Sequence, residues 1–137
     1  MAFFALIVLD KEANTVAIKP TGAEFQQPFL DQVVQKEKQH DTPHPNVYDM
    51  GGYYLHSLWS GKQPFIIEPD YVVGVVSDAS EEETQIKGAM RKITNNVLLS
   101  LKKGDAALRK SMEVMWQQIE SGNIAQIQLE KPSASHH

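Results

Sequence analysis

The 137-residue chain contains no cysteine. That excludes disulfides, thiolate metal ligands and cysteine nucleophiles together, and it fits a reducing, cytoplasmic setting. Cations are in the minority: thirteen Lys and Arg stand against seventeen Asp and Glu, a formal net charge of −4. With no surplus of cations to neutralise a run of phosphates, generic nucleic-acid binding is disfavoured. Long apolar runs are also missing. The apolar opening, residues 1–9, is closed by Asp10, Lys11 and Glu12, well short of the roughly 20 residues that span a bilayer. No Lys or Arg precedes Lys11, so the basic start of a signal peptide is absent. Neither GxxxxGK followed by Ser or Thr nor GxGxxG occurs, which removes the familiar phosphate cradles. No period of about 20 to 50 residues repeats, as a solenoid would require. No cofactor follows from any of these patterns.

What remains is an ordinary globular composition, 42% hydrophobic and 22% charged, in a length suited to one domain. That domain is expected over residues 1–130. Residues 131–137 (KPSASHH) carry no apolar anchor and read as a disordered tail or the remnant of a purification tag.

Residues 2–9 (AFFALIVL) form a continuous apolar run, and residues 15–19 (TVAIK) follow a turn-like stretch; together they predict a hairpin whose first strand is buried on both faces. Pro28 suits the first turn of a helix carrying Phe25, Phe29 and Val33 on a narrow stripe, followed by the wholly polar residues 35–40 (QKEKQH). The two prolines of residues 41–46 (DTPHPN) end it. Residues 47–59 alternate in their second half, with Gly51-Gly52 as a bulge or bend; residues 64–67 (PFII) read as a short strand and residues 71–76 (YVVGVV) as a second inner strand beside the first. Three antiparallel strands in a meander are expected here. Ser80 with Glu83 makes a capping box, and Lys102, Lys103 and Gly104 make a stop signal. Between them Ile86, Met90, Ile93, Val97 and Leu101 share one helix face. Asp105 starts a last helix with Leu108, Met112, Met115, Trp116 and Ile119 inward, and residues 124–129 (IAQIQL) read as an extra strand or an extended tail. The fold class is α+β: a mostly antiparallel sheet of about five strands in the order β-β-α-β-β-β-α-α, with helices packed on the sheet.

Candidate chemistry is sparse. His40, Asp41 and His44 are legitimate metal ligands, but Thr42 and Pro43 separate the histidines in a loop rather than on a helix face, so a solvated loop is the simpler reading. Asp49, Glu68 and Asp70 could meet as paired carboxylates; Glu68 and Asp70 flank Pro69, where turn chemistry explains them. His56 could act as a general base, yet no serine or acid is tied to it by a motif, and a partly exposed sheet position is expected. The Met112, Met115 and Trp116 stripe suits a core at helical spacing rather than a pliable groove.

The element order, and the stretch from Tyr53 to Leu101 with its meander, last apolar strand and long amphipathic helix, resembles the longin-like domains. These include the small chains of clathrin-type adaptor complexes and the amino-terminal domains of longin-type fusion proteins. Residues 108–124 (LRKSMEVMWQQIESGNI) are similar to the closing helix and its glycine-containing exit, whereas residues 124–129 extend beyond the family's pattern. The resemblance implies a non-enzymatic platform that binds other proteins, a second copy of itself or a small GTPase among them. Exposed aromatic residues would be its anchors, and Tyr53, Tyr54, Trp59 and Phe65 are the candidates. Two rival readings are a small metal-assisted or acid-base enzyme built on His40, His44 and His56, and a viral, immunity or accessory protein of the same fold class.

Overall fold

The computed structural model describes residues 2–39, 45–59, 71–78 and 84–130. Five strands run in sequence order as β1 (Phe3–Asp10), β2 (Thr15–Lys19), β3 (Asn46–Asp49), β4 (Tyr54–Trp59) and β5 (Tyr71–Ser77). Three helices, α1 (Gln27–Gln39), α2 (Thr84–Lys103) and α3 (Asp105–Glu120), complete the expected α+β order. The sheet order is β2-β1-β5-β4-β3 and every neighbouring pair is antiparallel. No helix among the described residues is long and apolar enough to cross a membrane.

The two continuous apolar runs become adjacent inner strands, paired from Phe3 with Ser77 to Asp10 with Tyr71. Side chains alternate across a strand, so each run feeds two cores. Leu6, Val8, Val73 and Val75 face α2 and α3, where they meet Met90, Ile93, Met112 and Ile119. Ala5, Ile7, Leu9, Val72 and Val76 face the other way, against Leu30, Val33 and Val34 of α1. Helices therefore cover both faces, and each fully buried aliphatic side chain contributes about 1.5–3 kcal/mol.

Around Gly51-Gly52, the stretch read as one bent strand is two, β3 and β4, closed as a hairpin. Both glycines have positive φ, 80° and 124°, a region that admits glycine at no steric cost. Asp49 Oδ1 accepts from Gly51 N at 2.9 Å, and Met50 N donates to Tyr53 O at 2.8 Å. The first hairpin is tied the same way: Asp10 Oδ1 accepts from Glu12 N and Asn14 N, each at 2.9 Å. Burial is the largest single influence and raises the Asp10 carboxyl, but these bonds, the Asn14 side-chain amide and the Lys11 charge together outweigh it and hold the group below its ordinary value.

Residues 124–129 take the second of the two forms expected, an extended tail, and add no strand. Ile124–Gln126 is a turn of 3-10 helix, and the chain then lies extended against α2 and α3. Ile124 and Ile127 are buried at 3% and 1% exposure while Leu129 is 56% exposed, a spacing of three rather than two. Asn96 of α2 supplies what a strand partner would: its Nδ2 donates to Gln128 O and its Oδ1 accepts from Glu130 N, both at 2.8 Å. The PFII strand, the Ser80–Glu83 capping box and residues 131–137 lie outside the described residues.

Gly74 sits mid-strand in β5 between Ile7 and Ser57. A Cβ there would stand 2.8 Å from Leu55 Cδ1 and 3.3 Å from Ile7 Cγ2, and Leu55 is buried at 1% exposure with nowhere to retreat. Strand propensity favours valine over glycine by up to about 1 kcal/mol, but overpacking costs about 1–3 kcal/mol. Gly74→Val is therefore expected to lower unfolding stability in urea by about 1–3 kcal/mol; an unchanged or raised midpoint would contradict this packing.

Candidate functional site

Of the four aromatic anchors expected, the structure exposes Tyr53. It follows Gly52 at the tip of the β3–β4 hairpin and is 45% exposed. Tyr54 and Trp59 are half-buried, and Trp59 packs against the core under α1. Phe65 lies outside the described residues. The partner that Tyr53 does find is Phe4, which the apolar-run reading had placed inside. Phe4 is 48% exposed because the β1–β5 register shifts between Phe3 and Ala5 at this end of the strand. Their rings meet edge to face, with centroids 6.3 Å apart and planes inclined by 67°, the arrangement the ring quadrupoles favour.

With Phe25 and Val76 these two rings line an open hollow of about 310 Å³. Phe25 precedes α1 and stacks on Phe29, centroids 5.4 Å apart, so its position is fixed by the start of that helix. The Tyr53 hydroxyl is the one polar side-chain group among the four lining residues. Exposed carboxylates stand beside the hollow in sequence: Glu24 precedes Phe25, Asp49 pairs with Tyr54 next to Tyr53, and Asp78 follows Val76 by two residues. Asp78 holds the strand start nearby, its Oδ1 accepting from Ala2 N at 2.8 Å. Such a surface offers apolar contact and, from its neighbours in sequence, negative charge; among the described residues that line it, the Tyr53 hydroxyl is the one group able to move a proton.

The same face of the sheet hides a charged group that sequence reading passed over. The polar segment QKEKQH contains Glu37, which is fully buried at 0% exposure. It lies one turn beyond Val33 and Val34 on the inward stripe of α1, and that spacing is the signal that could have found it. Asn46 Nδ2 donates to Glu37 Oε2 at 3.0 Å, and the Tyr48 hydroxyl donates to the same oxygen. Asn46 and Tyr48 alternate on β3, so one strand face delivers both donors. Burial, reinforced by the hydrogen bond to Glu37 and by its charge, pushes the Tyr48 phenol far above its ordinary value. Ser57 Oγ, buried nearby, makes no hydrogen bond of normal geometry, although its dipole favours the Tyr48 phenolate weakly. The Lys36 ammonium sits 5.6 Å from the Tyr48 ring centroid, within cation–π range. The cluster ties α1 to β3 of the sheet.

The remaining candidates separate. His56 is not a partly exposed sheet residue: it is buried at 1% exposure, and its Nε2 lies 2.9 Å from Ser77 Oγ, itself fully buried. Its strand position faces α2 and α3, which cover what an isolated strand would have left open. Met112, Met115 and Trp116 are core, at 1%, 2% and 6% exposure. Asp49 is exposed and serves the hairpin turn. His40, Asp41, His44, Glu68 and Asp70 lie outside the described residues. Among the described residues no group of three or more His, Asp or Glu converges with metal-binding spacing.

The fold and hollow define an α+β domain with a five-stranded antiparallel sheet covered on both faces. No model of a known protein family matches the chain, and no curated protein matches it.

Removing the Tyr48 hydroxyl leaves a buried carboxylate oxygen short of one donor, which costs about 1–3 kcal/mol. Tyr48→Phe should accordingly lower the unfolding free energy by about that much without moving the aromatic hollow. Urea denaturation and the NMR shifts of Phe4 and Tyr53 check both halves.

Proposed function

We propose that this chain is a non-enzymatic protein-interaction platform. Its docking site is the aromatic hollow, and its occupant is a protein segment that inserts one large apolar side chain flanked by basic residues. The observation that carries the reading is the pair Phe4 and Tyr53, two aromatic rings each nearly half exposed and packed on one another over a shared hollow. Exposed apolar patches on a water-soluble surface mark interaction sites, and aromatic residues dominate the energetics of such sites. The acidic neighbours Glu24, Asp49 and Asp78 supply the charge preference, since complementary potential selects partners and speeds encounter. The longin-like element order supports the same reading, because domains of that class act by binding other proteins. A second copy of the chain and a small GTPase are the partners that resemblance suggests, and the test separates the second copy.

Random dodecapeptides displayed on phage and selected on the immobilised chain provide the test. The enriched sequences should carry one leucine, phenylalanine or tryptophan beside lysine or arginine. Binding of the best synthetic peptide should fall at least about tenfold with Phe4→Ala or Tyr53→Ala, a loss typical of anchor residues. Both side chains are exposed, so unchanged thermal unfolding is the control for folding. Enrichment without that pattern, or binding indifferent to both substitutions, would overturn the reading. Light scattering that shows a dimer broken by Tyr53→Ala would assign the hollow to a second copy.

A further inference from the structure

Three of the four residues lining the hollow are aromatic, Phe4, Phe25 and Tyr53. Phe4 owes its place there to a bulge. Phe3 pairs with Ser77 and packs in the core under α2 and α3, whereas Ala5 pairs with Val76 and packs under α1. Phe4 is the extra residue between them, and a bulge of this kind re-aims a side chain. The Phe4 and Tyr53 planes are inclined by 67°, so the two rings make a corner rather than a flat platform. Phe25, held by stacking on Phe29, adds a third ring.

The segments that supply this lining, residues 2–9, 20–35, 45–59 and 71–78, contain no Lys or Arg, and they contain Glu24, Asp31, Asp49 and Asp78. Asp78 is the closest of these to the rings by register. Tyr54 pairs with Ser77, so one step further along Asp78 stands opposite Tyr53, and continued alternation puts it on the same face as Val76. It is exposed, and it is bonded through its N–H and Oδ1 to Ala2, two residues before Phe4. The hollow therefore favours positive charge. Its capacity to accept hydrogen bonds is small, since the Tyr53 hydroxyl is the one polar side-chain group in the lining. A lysine ammonium or an arginine guanidinium carries several N–H donors, and most would be left unpaired on giving up their water. A quaternary ammonium has no N–H to leave unpaired, and it is attracted to an aromatic face within about 6 Å of the ring centroid. With the Phe4 and Tyr53 centroids 6.3 Å apart, one such cation can satisfy that distance to both rings at once.

We infer that the hollow takes the quaternary ammonium of a trimethylated lysine on a protein segment, with Phe4, Phe25 and Tyr53 as its aromatic walls and Asp78 as the nearest counter-charge. This rests on the reading of the hollow as a docking site and names the group that enters it. A trimethylated lysine joins apolar bulk and positive charge in one side chain, so it places the charge at the tip of the anchor as well as beside it. The choline headgroup of a lipid carries the same cation, but its phosphate would meet lining segments without a single Lys or Arg to pair it.

Unlabelled peptides of sequence Gly-Ser-Xaa-Ser-Gly are the probes, titrated into the full chain and read by NMR shifts. Xaa is trimethyllysine, lysine, or the neutral analogue of trimethyllysine in which carbon replaces the quaternary nitrogen. The trimethyllysine peptide should give saturable shifts at Phe4, Phe25 and Tyr53 and bind about tenfold more tightly than either of the others, as expected of several partly exposed rings acting together. This comparison uses the unaltered chain, so it does not depend on how a variant folds. Phe4→Ala should remove most of the preference, whereas Tyr53→Phe, which keeps the ring, should retain it. Asp78→Asn keeps an oxygen for Ala2 N; it should weaken the trimethyllysine peptide about threefold and leave the carbon analogue unchanged. Equal or tighter binding of the carbon analogue or of the lysine peptide, or no saturable shift at the three rings, would overturn the inference. Displacement of the peptide by phosphatidylcholine vesicles would overturn it too, by giving the hollow to a lipid headgroup. The displayed dodecapeptides contain no methylated lysine and are scored separately. Their enrichment beside a failure here leaves the docking reading intact, and failure of both removes the site.

Discussion

The antiparallel pairing of β1 with β5 is the constraint on which the other elements depend. Each strand is a nearly unbroken apolar run, so the pair cannot turn a face to water without exposing four branched side chains. At about 1.5–3 kcal/mol for each buried side chain, that exposure would be comparable to the whole marginal stability of a domain, about 5–15 kcal/mol. Placing the two runs side by side satisfies their backbones, but it creates a slab that is apolar above and below. Covering on both faces is then obligatory. The long α2–α3 hairpin supplies one cover; α1, with its shorter stripe, supplies the other.

The two covers differ in how completely they do this, and the difference generates the candidate surfaces. The α2–α3 side is deep, with Met90, Ile93, Met112 and Ile119 essentially excluded from water, and the carboxy-terminal extension seals it further through Asn96. The α1 side is thin. Its helix needs a buried carboxylate, Glu37, held by Asn46 and Tyr48, to pin it in place. Short of the helix start, Phe4 and Tyr53 are left half in solvent. At the opposite margin α3 lies over β2 and leaves a trough beside it. Coverage is least complete at these two places, one an aromatic hollow, the other the margin of β2.

How much of this was legible depended on whether a feature was local. The double-sided burial of β1 and β5 shows in their missing alternation, and the α2 and α3 stripes show in regular three- and four-residue spacing. These elements, their order and the α+β class were readable from the residues alone. Glu37 was not, because a buried carboxylate is tolerable only when partners arrive from elsewhere, and Asn46 and Tyr48 sit on a strand nine and eleven residues away. Phe4 looked like core because exposure at the end of a central strand depends on where α1 begins. His56 looked half-exposed because the covering helices come later in the chain. The tail left two readings open, strand or extended tail, and its docking on Asn96, with isoleucines at spacing three, decides for the second.

Native-state hydrogen exchange tests the central pairing most directly. If β1 and β5 form the doubly covered centre, the hydrogen-bonded amides among Leu6, Ile7, Val8, Val73, Gly74 and Val75 will exchange only through global unfolding. Their opening free energies will equal the value from urea denaturation, and amides of α1 will open earlier. Exchange of either strand by local opening, well below the global free energy and ahead of α1, would contradict the account.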